Sequence, residues 1–310
     1  MVFMRRLFLT AALLLSAQLP ASAIVFWNLG NDANQTDPGT GAPWNSVAKV
    51  VNSDNSSLSG SAVYLGNGFL LTANHVTVNS NFSQVTFDNT NFFSIDPNFG
   101  TYGTQVAPGV DMKVIKLTLN PAGVNAVTLL GLPFEQIAPA TIVGWGKGRD
   151  PSAPLASTNV AWGTPATATK RWGLNEPKLA TNISYPHGTN LYLYSAIVTY
   201  AGSTNSANPA ENGLGDSEAS VAEYDSGSGL FQQIGNQWYL VGITAATEDG
   251  GSTDFGIDST NPAGRGDADY FARISSYDEQ ITALVPEPST VSLLVLSGVA
   301  AAVFTLRRRR

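Results

Sequence analysis

The stretch "YDSGSGLF", residues 224–231, sets an acid, a serine and two glycines just before an apolar run. Asp, Ser and Gly each suit turns for separate physical reasons, so a surface turn accounts for the stretch taken alone. Two other stretches change its meaning. "GFLLTANHV" (68–76) ends an apolar strand on His75, and "GVDMKVIKLTL" (109–119) opens an alternating strand with Asp111. Alone, a histidine after a strand is a structural or solvated residue, and an acid at a strand mouth is a turn cap. Together the chain carries His, Asp and Ser in that order. A serine hydroxyl is a poor nucleophile that needs a base within hydrogen-bond reach, itself oriented by a third group. The other histidine, His187 in "YPHGTN", sits beside Pro and Gly and reads as a loop residue.

The 310 residues are 43% hydrophobic and 13% charged, enough for one large core or two smaller ones. Thirty glycines and 17 prolines point to short strands joined by turns. Segments at 46–52, 60–73, 83–88, 111–119, 140–146, 190–201, 229–234, 238–247 and 268–276 are rich in Val, Leu, Ile, Phe and Thr and bounded by turn residues. "SSYDEQITALV" (275–285) has the Ser start and apolar spacing of a short helix. No fixed-period repeat is present. The expectation is an all-β body of antiparallel sheets closed into barrels or packed as a sandwich, with one terminal helix. There are no cysteines, so disulfides, zinc–thiolate sites and cysteine nucleophiles are excluded.

Both ends carry sorting features. Arg5 and Arg6, the apolar "LFLTAALLLSA" and the small-residue "ASA" at 21–23 predict a signal peptide over 1–23, with a mature start at Ile24. At the other end "VPEPST" (285–290) leads into an uncharged segment, 289–306, and then "RRRR". That segment is just long enough to span a bilayer, with the arginines on the cytoplasmic side. The order Pro-Glu-Pro, apolar span and arginine cluster over 286–310 resembles the PEP-CTERM sorting signal of Gram-negative bacteria. The resemblance implies export across the inner membrane, transient anchoring by the tail, and recognition by an exosortase-type enzyme. The final location would be periplasmic, cell-surface or secreted. Losing both ends removes six of 16 basic residues and one of 23 acidic ones, leaving a net charge of about −12. Such a surface disfavours nucleic acid and anionic membranes as partners.

The three stretches around His75, Asp111 and Ser226 together resemble the chymotrypsin-like (trypsin-like) serine protease family. "TANHV" is similar to its "TAAHC", "GVDMKVIKL" to its "DIALLKL" and "DSGSGLF" to its "GDSGGP" loop. "IVGWG" (142–146), "WYLVGITA" (238–245) and "YFARISSYDEQI" (270–281) resemble further family strands and the closing helix, all in the right order. The resemblance implies two antiparallel six-stranded β-barrels, about 46–146 and 159–276, within a protease domain over 24–285. It implies a serine endopeptidase acting on protein or peptide substrates, with no cofactor or metal. His75 would be the general base, Asp111 its orienting acid and Ser226 the nucleophile. The backbone N–H groups of Tyr224 and Ser226 would form the oxyanion hole, and Ser220 would lie at the base of the specificity pocket. A new terminus at Ile24 would pair with Asp225.

The chain departs from the family at several places. Tyr224 replaces a glycine, and a side chain there invites a peptide flip that removes an oxyanion donor. Ala245, Ala246 and Thr247 replace the "SWG" that pairs with substrate backbone, and "FW" replaces the glycines after the Ile-Val terminus. These features support the alternative, a catalytically impaired protein keeping the fold as an extracellular binding or matrix component. An α/β-hydrolase is excluded by motif and order, since that class sets G-x-S-x-G before its histidine. "GRGD" (264–267) reads as a turn, and the acidic loops at 211–218 and 247–258 as solvated loops.

Overall fold

A computed structural model describes residues 24–26, 33–132, 138–154, 159–202, 214–248, 251–255 and 266–286. The expected signal peptide and the apolar span 289–306 lie outside the described residues. Among those described, no helix is long and apolar enough to cross a membrane.

In chain order, β1 (Val25–Phe26) precedes a first group of strands. These are β2 (Val47–Val51), β3 (Leu58–Gly66), β4 (Phe69–Thr72), β5 (Gln84–Thr86), β6 (Phe92–Ser94), β7 (Thr104–Gln105) and β8 (Lys113–Lys116). They form one sheet in the order β6-β5-β2-β3-β4-β8-β7. The sheet curls until its ends meet. Ile95 and Leu117 form an antiparallel bridge just beyond β6 and β8, and the Thr118 N–H donates to the Ser94 carbonyl at 2.9 Å. Six strands thus close a barrel, which removes the exposed edges an open sheet would carry, and β7 is a ribbon added to β8. The β3–β4 hairpin turns through Gly66, Asn67 and Gly68, all at positive φ, where glycine costs nothing and asparagine little.

The second group is β9 (Thr128–Leu129), β10 (Ala140–Gly144), β11 (Asn159–Ala161), β12 (Arg171–Asn175), β13 (Leu179–His187) and β14 (Asn190–Tyr200). It continues with β15 (Ala219–Ser220), β16 (Gly229–Ile234), β17 (Gln237–Thr247), β18 (Ser252–Asp254) and β19 (Ala268–Arg273). The main path runs β12-β10-β16-β17-β19-β14-β13. Because β13 follows β12 after residues 176–178, the pair acts as one bent strand, its first half on β10 and its second on β14. Counting it once gives a second closed barrel of six strands. The expected two-barrel, all-β architecture is observed, with β9, β11, β18, β1 and β15 as short additions; the boundary differs from the expected 46–146 and 159–276, since β10 pairs with β12 and β16 and so belongs to the second barrel. Helix α1 (Asp278–Leu284) closes the described body as expected.

The β12–β13 segment and β11 were not visible as strands in the sequence. Their burial pattern explains this: β12 alternates, while most β13 side chains face solvent and the segment carries Pro177 and Pro186. An edge strand of this kind lacks the apolar run that marks a buried one.

The barrels are stapled by Trp145, just after β10. Its indole N–H donates to the Val47 carbonyl in β2 at 3.0 Å, and its backbone N–H to Ser61 Oγ in β3 at 3.0 Å. The ammonium groups of Lys49 and Lys170 lie 5.4 and 5.2 Å from the ring centroid. Burial pushes the Lys170 ammonium down to about 7, with Asp88 and Asp37 opposing, and that of Lys49 down to about 8. Truncating such a buried aromatic removes its burial and leaves a cavity. Trp145→Ala is therefore expected to lose about 3–5 kcal/mol of unfolding free energy in urea titration; a loss below about 1 kcal/mol would show that the barrels do not depend on this staple.

Candidate active site

His75 lies in the turn after β4 and Asp111 in the loop before β8, so the first barrel carries both. The His75 backbone N–H donates to Asp111 Oδ1 at 3.0 Å, and its Nδ1 lies 2.7 Å from Asp111 Oδ2. A carboxylate only accepts, so Nδ1 carries the ring proton and Nε2 presents a lone pair. Ser226 Oγ, from the second barrel, sits 2.7 Å from that Nε2 and donates to it. Asp111 is fully buried. Lys113, two residues on, donates through Nζ to the carbonyls of Asn74 at 3.2 Å and Val76 at 2.5 Å, the two residues flanking His75. Burial lowers the Lys113 ammonium to about 8, with Asp111 opposing.

The serine loop is tied from all sides. The Ser61 N–H donates to the Ser226 carbonyl at 2.8 Å and the Gly227 N–H to the Thr244 carbonyl at 2.8 Å. Gly227 has φ +86°, and a Cβ there would run into the Ser61 carbonyl and the Thr72 hydroxyl, so only glycine fits. Tyr224 also has positive φ, 73°. The Glu223 carbonyl accepts from the Lys147 N–H at 2.7 Å. The described chain has no cis peptide, and a trans peptide holds its C=O and N–H on opposite sides, so the Tyr224 N–H faces away from Lys147. The Tyr224 ring lies under Lys147 Nζ at 5.7 Å, and Lys147 pairs with Glu223.

Asp225 anchors this loop from below. Its fully buried carboxylate accepts from the N–H groups of Gly146 at 2.8 Å, Ala222 at 2.9 Å and Ile24 at 3.3 Å. Burial raises it from 3.8 to about 6, against those hydrogen bonds and the charge of Arg171. Ile24 is itself buried, and β1 pairs Val25 with Ser220.

Other sequence-derived sites fall out differently. Ser220 is fully buried and its hydroxyl donates to Asp269 Oδ1 at 3.0 Å; the cleft wall beside Ser226 is made by Val221 and Ala222. Asp269 lies 49 residues away on β19, where no local motif marks it. His187 is not an isolated loop residue. It lies in the cleft, its ring centroid 4.3 Å from that of His75. Of the "GRGD" stretch, Gly264 and Arg265 lie outside the described residues; the Asp267 carboxylate accepts from the Asp254 N–H at 2.7 Å. Glu218 in the acidic loop is buried rather than solvated, accepting from the Leu214 N–H at 2.8 Å, and burial raises it to about 8. Among the described residues, no group of three or more His, Cys, Asp or Glu side chains could hold a metal ion.

Comparison with known proteins adds one firm element. Residues 284–310 match the PEP-CTERM protein-sorting motif. The chain ends in a PEP-CTERM signal. This motif implies export, recognition by an exosortase-type enzyme and processing of the tail, as the sequence led us to expect. No curated protein matches the chain. Among solved structures, it is similar to the inactive form of a mutant of Rv3671c from M. tuberculosis H37Rv. Identity is 13%, the TM-score is 0.48, and the overlap covers 82% of this chain and 94% of that one. It is likewise similar to the inactive form of the Rv3671c protease, at 13% identity and TM-score 0.47, covering 86% and 100%. Overlaps this loose say nothing about activity.

The Asp225 environment has a measurable consequence. While Ile24 is linked to residue 23, its N–H is a neutral donor and Asp225 titrates near 6 when folded but near 3.8 when unfolded. Between these values the folded state binds more protons, so stability falls as pH rises from about 4 to about 6. A shift of this size corresponds to about 3 kcal/mol. Urea unfolding across that window is expected to show the decline in a leader-extended chain. It should be smaller by about that amount in Asp225→Asn and in a chain beginning at Ile24, where an ammonium faces the carboxylate, the raised Glu218 contributing its own decline to all three; an identical decline in all three would remove Asp225 as a source.

Proposed function

We propose that this protein is an exported serine endopeptidase that cleaves peptide bonds through an acyl-enzyme intermediate. The observation that carries the proposal is the unbroken line Asp111–His75–Ser226, with 2.7 Å at each side-chain contact. Ser226 Oγ attacks the scissile carbonyl carbon while His75 Nε2 takes its proton. Asp111 holds the Nδ1–H tautomer and stabilises the imidazolium that forms. The N–H groups of Tyr224 and Ser226 meet the developing oxyanion. Collapse expels the amine, which receives the proton from His75, and water then repeats the sequence in reverse on the acyl-enzyme. No metal or cofactor takes part. Val221 and Ala222 give the cleft an apolar wall beside the nucleophile, with the buried Ser220–Asp269 pair behind it.

Export supplies the activating event in this reading. Removal of residues 1–23 by signal peptidase frees the Ile24 amine beside Asp225, converting an amide contact into a buried ion pair. Ile24 has φ +50° in the linked chain, a strained conformation for a β-branched residue. A terminal residue has no preceding carbonyl, so cleavage relieves that strain. The impaired-homologue reading rests on Tyr224 and on Ala245–Thr247. The Glu223–Lys147 bond is our argument against its first point, since it turns the Tyr224 N–H away from Lys147.

Incubating the folded chain beginning at Ile24 with a diverse peptide library, and reading new termini by mass spectrometry, tests the proposal. Cleavage is expected in the wild type and absent in Ser226→Ala, with Asp111→Asn reduced by about 10⁴-fold. Uncleaved peptides throughout would leave a binding or matrix role as the better account.

A further inference from the structure

The chain has two histidines, and they touch. His75 comes from the first barrel. His187 comes from the tip of the β13–β14 hairpin of the second, where it pairs with Asn190 across a turn at Gly188. The same hairpin reaches the first barrel at two more points. The Asn74 side-chain amide, next to His75, donates to the Tyr192 hydroxyl at 3.1 Å. The Leu193 N–H donates to the carbonyl of Gly109, two residues before Asp111, at 2.9 Å. Tyr194 follows, its buried hydroxyl without a hydrogen-bond partner among the described residues. Burial and then Asp111 raise the Tyr194 pKa. One hairpin therefore contacts the neighbour of the base, the loop of the acid, and the face of the imidazole.

We propose that the β13–β14 hairpin is a strap that keeps His75 and Asp111 in register with Ser226, and that His187 is its positioning residue on the imidazole. The inference deepens the protease reading and rests on it. An imidazole has two side-chain torsions, and a rotation of either takes Nε2 out of line with Ser226 Oγ. A ring packed on its face at 4.3 Å opposes that rotation and displaces water from one side. A neutral ring there tolerates the imidazolium of the transition state and offers it a π face; a charged ring would repel it. Burial and then His75 lower the His187 pKa, with Asp111 opposing, which favours the neutral form of the second imidazole. The other titratable groups around the pair are Tyr185 on the hairpin, and Glu223, Tyr224 and Glu248 on the cleft walls. Lys113 lies behind the loop that carries His75.

The test compares His187→Ala, His187→Phe and His187→Lys. Two quantities are read: kcat and KM on a cleaved peptide across pH 5–9, and the NMR titration of the His75 ring in a Ser226→Ala background. His187→Ala is expected to lower kcat about 10-fold with a smaller change in KM, and His187→Phe to recover most of that loss. His187→Lys, a permanent cation beside the imidazole, should lower the acid limb and the His75 titration by about one pH unit. An unchanged kcat in His187→Ala, or an unmoved limb and titration in His187→Lys, would overturn the proposal. Should no peptide be cleaved even by the wild type, the protease reading fails; the His75 titration in His187→Lys still decides whether His187 acts on His75.

Discussion

The buried carboxylate of Asp225 is the contact on which the rest of this molecule turns. It gathers three backbone donors from three separate parts of the chain, at Ile24, Gly146 and Ala222. Each is at a junction. Gly146 follows the Trp145 staple between the barrels, Ala222 begins the loop that carries Ser226, and Ile24 leads the strand paired with Ser220. A carboxylate held this far from water is costly unless fully partnered. The chain therefore has strong reason to close all three junctions together, and in doing so it fixes the loop from which Ser226 projects.

From that loop the chemistry crosses between barrels. Ser226, the proposed nucleophile, belongs to the second barrel, and His75 and Asp111, its proposed base and acid, to the first, so the line between them exists only while the barrels hold one relative position. The Trp145 staple fixes that position through the core, and the β13–β14 hairpin fixes it over the surface. With no disulfide available, hydrogen bonds and packing do this alone. Gly60 lets Val76 and the Ser226 carbonyl approach closely, since a Cβ there would lie 2.7 and 2.8 Å from them. Lys113 grips the carbonyls on either side of His75. The turn that carries His75 is thus held from its back by an ammonium and from its front by a hairpin.

The sequence made the two-barrel body and the three central residues legible because each sits at the end of an apolar strand with turn residues beside it. "TANHV", "GVDMKVIKL" and "YDSGSGLF" are local signals, and the structure brings their side chains together. What stayed hidden was whatever depends on distant pairing. β13 is polar and largely exposed, so "LATNISYPH" gave no strand signal, and His187 at its end looked like a loop residue. The hydroxyl of Ser220, expected at a pocket floor, is taken by Asp269, which no spacing rule connects to it. The left-handed backbone of Tyr224 and the Glu223–Lys147 contact become visible only in three dimensions.

The central claim is that His75 activates Ser226 within this frame. The most direct measurement treats the folded chain beginning at Ile24 with a fluorophosphonate and maps the adduct by mass spectrometry, alongside His75→Ala. The account predicts a single adduct on Ser226 that disappears when His75 is replaced. A folded wild-type protein that stays unmodified, or an adduct on Ser226 that forms equally well without His75, would contradict it.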